Sequence, residues 1–132
     1  MGREKMEASS SKSAVVHTII IQTARMEEMA AFYGQGLELG EPISTGENHL
    51  GFTLPNVYLG FDLVPHPPEP TGTISVWFEV EDLDEVFHRF ERLGAEIKYP
   101  PSPKPWGAIL AALYDPDGNL FGLTQRNEPG NP

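Results

Sequence analysis

The chain has 132 residues, the length of one domain with a single hydrophobic core rather than two independent ones. Its 19 acidic residues outnumber 9 basic ones, and the resulting net charge of −10 repels phosphate backbones and anionic lipid, which argues against nucleic-acid and membrane partners. It contains no cysteine, which excludes disulfides, thiolate metal sites and thiol nucleophiles.

Residues 1–13 are rich in Ser, Lys and Glu and read as a flexible leader. No apolar run approaches membrane-spanning length and no signal-peptide core is present, so a cytoplasmic protein is expected. The first structured stretch, "VVHTIIIQT", is β-branched and reads as a strand. It leads into "RMEEMAAFYGQGLEL", where Met26, Met29, Ala30, Tyr33 and Leu37 share one helical face. Three short candidate strands follow, "EPIST", "HLGFTL" and "VYLGFDLV", separated by Gly, Asn and Pro turns.

The second half repeats the order. "TISVWFEV" alternates, with Ile74, Val76, Phe78 and Val80 on one face and Ser75, Trp77 and Glu79 on the other. In "DLDEVFHRFERLGAEI", Leu83, Val86, Phe87, Phe90 and Leu93 form a helical stripe. Asp82 is the expected N-cap, and Gly94 the expected C-terminal stop. The strands "EIKYPP", "AILAALY" and "LFGLTQR" complete the unit, and residues 127–132 form a short tail. Residues 25–29 align with residues 82–86 at an offset of 57, which pairs Thr18 with Ser75 and Ile20 with Trp77; Gly60 pairs with Gly122 at an offset of 62. The chain is an internal duplication, with modules at 14–65 and 72–126 inside one domain spanning 14–126.

The helix end "AAFYGQGLEL" and the stretch "VEDLDEVFHRFERLGAEI", with the later "PWG" and "LYDPDGNLFGL", resemble the vicinal oxygen chelate superfamily. That group includes glyoxalase I, ring-cleaving dioxygenases and the fosfomycin- and bleomycin-resistance proteins. The resemblance covers roughly residues 14–126 and implies an α+β fold. Two tandem βαβββ modules would form a curved mixed sheet around a cavity, with the helices on the outer face, and the protein would be a homodimer. It also implies where metal-using members keep their ligands. Those positions fall on Thr18, Gly60, Ser75 and Gly122, with Asp62 brought in by a small shift at Gly60. Hydroxyls and glycines do not hold a divalent ion as imidazole and carboxylate do, so no metal and no cofactor is expected.

The four histidines show no metal-ligand spacing, and His17 falls one residue off the ligand register, although a strand bulge there would reverse its direction. "GQG" ends a helix and is read as a cap. "DPDG" lacks the remaining ligands of a calcium loop. No catalytic residue is assigned. The ligand-binding candidates are Thr18, Phe52, Tyr58, Asp62, Ser75, Trp77, Glu79 and Trp106, with the two tryptophans as stacking surfaces and Trp106 over the cavity mouth. Trp77 as a core or dimer-interface residue is the competing interpretation. The leading functional expectation is a metal-free protein of the bleomycin-resistance-like branch that sequesters a cationic or aromatic small molecule. The alternatives are a metal-dependent lyase, isomerase or dioxygenase of the same superfamily with differently placed ligands, and a protein-interaction module with a filled pocket.

Overall fold

A computed structural model describes residues 14–127. The expected leader at 1–13, and all of the expected tail except Asn127, lie outside the described residues. In the first module β1 (Thr18–Thr23) is followed by α1 (Met26–Gly36), then β2 (Ile43–Ser44), β3 (His49–Thr53) and β4 (Tyr58–Leu63). In the second, β5 (Val76–Val80) is followed by α2 (Leu83–Arg92), β6 (Glu96–Pro103), β7 (Ile109–Tyr114) and β8 (Leu120–Gln125). No helix among the described residues is long and apolar enough to cross a membrane.

The fold is α+β, built from two βαβββ modules. The strands form two four-stranded mixed sheets, ordered β1-β4-β3-β2 and β5-β8-β7-β6. In each, the first strand runs parallel to the last and the remaining pairs are antiparallel. The helix supplies the crossover that a parallel pair requires. The registers are equivalent: Ile20 pairs with Gly60 and Trp77 with Gly122, so the duplicated positions occupy corresponding places.

Strand alternation divides each sheet into two faces. The helix-facing side of the first sheet carries Leu59, Phe61 and Phe52, and that of the second carries Phe78, Phe121 and Leu123. With α1 and α2 they form one buried cluster. Its centre is aromatic: Phe32 of α1 lies 4.9 Å from Phe90 of α2, and Tyr33 lies 5.6 Å from Phe61 and 5.2 Å from Phe121. Truncating one of these rings to Ala costs about 3–5 kcal/mol in a packed core. The opposite faces carry Thr18, Ile20, Gln22, Tyr58 and Asp62 in one module and Trp77, Glu79 and Thr124 in the other, none of them buried.

Polar contacts also fasten the modules together. Arg89 Nε of α2 donates to the Gly36 carbonyl at 3.0 Å, which meets a carbonyl left over at the end of α1. Arg25 lies 3.1 Å from Asp117 in the "DPDGN" turn. Asp82 Oδ1 accepts from the Glu85 N–H, as expected of an N-cap, and Gly94 adopts the left-handed φ of +92° that ends α2. Two expected core positions differ. Ile74 precedes β5 and is exposed, because the parallel ladder with β8 begins only at Val76. Leu93 is already the C-cap of α2 and is partly exposed.

Candidate functional site

The glycine at 122 is explained by what lies over it. A Cβ built there would fall within the indole of Trp77, deep inside van der Waals contact, so only hydrogen leaves room for the ring. Trp77 Nε1 donates to Ser75 Oγ at 2.9 Å, which fixes the ring's orientation. The indole therefore lies on the backbone of the neighbouring strand while remaining 39% exposed.

Trp77 also lines a groove of about 870 Å³ at the seam between the edge strands β1 and β5. Val15, Val16, Pro55 and Val57 contribute apolar walls from the first module, and Glu79 and Arg126 contribute charge. Arg126 Nε lies 3.7 Å from Glu79, and its Nη1 3.2 Å from Glu81. The candidate Glu79 is therefore paired with a guanidinium. Arg126 was not among the sequence candidates, and it reaches the groove because β8 runs parallel beside β5.

The remaining candidates divide between the modules. Ser75, Trp77 and Glu79 share one face of the second module, as alternation requires. Thr18, Tyr58 and Asp62 share the open face of the first module, and none of these three lines the Trp77 groove. Phe52 requires a correction: it is 3% exposed, belongs to the core and packs over Gly34 of α1. The open-face residue beside it on β3 is Gly51, which pairs with Gly60, so Phe52 points to the helices. Trp106 is 72% exposed in the tight turn joining β6 and β7, and does not line the groove that contains Trp77.

The ligand positions implied by the resemblance do not fit a resident divalent ion. Thr18 and Ser75 offer hydroxyls, already bonded to His17 and Trp77 respectively. The space above Gly60 is taken by Ile20 and His49, and that above Gly122 by the Trp77 ring. Neither glycine presents a donor, and imidazole or carboxylate is what such an ion requires.

On the first module's open face His49 is not an isolated surface residue. Its Nδ1 lies 2.6 Å from Asp62 Oδ1 and its Nε2 lies 2.7 Å from Tyr58 Oη, with the His49 and Tyr58 rings stacked. Away from both faces, burial raises the Asp115 carboxyl above its ordinary value, against the lowering effect of hydrogen bonds from Tyr33 and Asn119. Burial, reinforced by the Asp115 charge, raises the Tyr33 phenol well above its own.

The profile of the Glyoxalase/Bleomycin resistance protein/Dioxygenase superfamily matches residues 15–123. No curated protein matches the chain. Solved structures do. A glyoxalase-related enzyme from Fulvimarina pelagi superposes with a TM-score of 0.73 at 19% identity, over 84% of this chain and 87% of that one. A glyoxalase/bleomycin resistance protein/dioxygenase family enzyme from Burkholderia phytofirmans PsJN gives 0.74 at 20% identity, over 85% and 98%. A glyoxalase/bleomycin resistance protein/dioxygenase from Nocardioides gives 0.68 at 23% identity, over 93% and 90%. At these identities the likeness is one of fold. With the profile spanning both modules, the chain belongs to the glyoxalase/bleomycin resistance protein/dioxygenase superfamily.

Proposed function

We propose that the chain is a metal-independent small-molecule binding protein whose ligand stacks a planar aromatic group on Trp77. The observation that carries this reading is the partly exposed indole, laid flat on Gly122 and oriented by Ser75 at the edge of the seam groove. Apolar walls accommodate the rest of an aromatic ligand. Glu79, beside Arg126, offers a polar contact to a cationic or hydrogen-bonding substituent. The protein acts as a homodimer, because exposed Ile74, before the edge strand β5, is apolar surface outside both candidate sites that a second copy covers. Sequestration on the pattern of bleomycin-resistance proteins is the biological role consistent with this site.

The test uses the two tryptophans as reporters. In a Trp106→Phe background, a fluorescence screen of planar aromatic compounds, cationic and neutral, reports on Trp77 alone. A binding compound changes the emission, and Trp77→Ala weakens its affinity by about 1–3 kcal/mol while the fold is retained. An unresponsive Trp77 across the screen, with Trp77→Ala unfolding the protein, identifies the indole as a core residue and overturns the reading.

A further inference from the structure

The open face of the first module carries a second arrangement, separate from the Trp77 groove. His49 and Asp62 are cross-strand partners on β3 and β4, and Tyr58 stands four residues before Asp62 on β4. Gly60 lies between those two, and Gly51 is its partner on β3. The floor is cleared by these glycines: a Cβ at 60 would stand 2.7 Å from His49 Cε1, and one at 51 would collide with the Tyr58 phenol. Removing two side chains from adjacent strands lets an imidazole and a phenol stack flat on the sheet. In the tautomer with its proton on Nδ1, facing the Asp62 carboxylate, His49 leaves its Nε2 lone pair to accept from the Tyr58 hydroxyl.

We propose that Asp62, His49 and Tyr58 form a metal-independent acid–base site in which Tyr58 Oη exchanges a proton with a small, uncharged, weakly acidic ligand. The substrate class is a hydroxyl-bearing or enolisable compound whose apolar part rests on Ile20, the exposed aliphatic residue that also borders Gly60. As Oη takes the ligand's proton, the phenol's own proton passes to Nε2, and Asp62 faces the resulting imidazolium. Return of that proton to the same or another atom of the ligand restores the site without a co-reactant. His49 and Tyr58 are the groups that move protons; Asp62 is a positioning residue that sets the tautomer.

The test is acetylation by N-acetylimidazole, followed tyrosine by tyrosine with mass spectrometry. Attack of Tyr58 Oη on the acetyl carbon releases imidazole, with His49 taking the phenol proton and giving it to the leaving group. Tyr58, Tyr99 and Tyr114 are all partly buried, so access alone does not separate them. Tyr58 is expected to react at least about tenfold faster than the other two. His49→Gln keeps a hydrogen-bond acceptor but is no base, and is expected to bring Tyr58 down to their rate with circular dichroism unchanged. Asp62→Asn gives an intermediate rate. A Tyr58 rate equal to those of Tyr99 and Tyr114, or one unaffected by His49→Gln, overturns the proposal. Neither result depends on ligand binding at Trp77.

Discussion

Tyr33 in the first helix donates a 2.7 Å hydrogen bond to Asp115 Oδ2, a residue 82 positions later in the turn before the last strand. The same carboxylate accepts from the backbone N–H groups of Asp117 and Asn119 and from the Asn119 amide. One buried side chain therefore shapes the "DPDGN" turn and ties it to the other module. Tyr33→Phe keeps the ring packing against Phe61 and Phe121 but removes one donor to a buried charge. It is expected to lower the unfolding free energy by about 1.5–3 kcal/mol in urea titrations. A loss near zero shows that the tie between the modules adds nothing to packing.

The same pair sets an alkaline limit. Burial, with the Asp115 charge second, raises the Tyr33 phenol well above its ordinary value of 10.0. Above that pH the unfolded chain gives up a proton that the folded chain keeps, so stability falls as pH rises, by about 1.4 kcal/mol per pH unit for one group. Tyr33→Phe lacks this term, and its deficit relative to wild type is expected to shrink above pH 10. Parallel stability curves for the two proteins contradict it.

Gly122→Ala sets a methyl group against the Trp77 ring. The variant is expected to lose about 1–3 kcal/mol of stability and to show altered near-ultraviolet dichroism as the indole is displaced. The cost should largely disappear in a Trp77→Ala background, giving a coupling energy in a double-mutant cycle. An additive cycle shows that the ring does not rest on Gly122.

For assembly, the expected light-scattering mass at micromolar concentration is twice the 14.6 kDa of one chain. The exposed Ile74 before β5 would then be covered by the second copy. A mass that stays at the monomer value contradicts the dimer.

The fold was legible because its signals are periodic. Alternation in "SVWFEV", the helical stripes and the offset of 57 made Trp77 the counterpart of Ile20, and the registers agree. Relationships set by strand pairing were not legible. Phe52 looked available to a ligand because nothing in "HLGFTL" says which of Gly51 and Phe52 faces the helices; the pairing of Gly51 with Gly60 decides it. His49 was passed over with the other histidines for want of metal-ligand spacing, since Asp62 and Tyr58 come to it only across the antiparallel β3–β4 register. Arg126 was missed because it follows the last strand, and only the course of β8 beside β5 carries it to Glu79. The signal that could have found the His49 cluster is the pair Gly51 and Gly60, two glycines inside predicted strands, which mark close approach by something bulky.

The seat of Trp77 on Gly122 also bears on how tightly a ligand can be held. An indole on a mobile side chain loses rotamer freedom when a ligand stacks on it, and that loss subtracts from affinity. Here the backbone of β8 below the ring and the Ser75 hydroxyl at its Nε1 have already fixed the plane before any ligand arrives. The entropy of ordering was settled when the strand pair formed, and more of the stacking energy remains for the ligand.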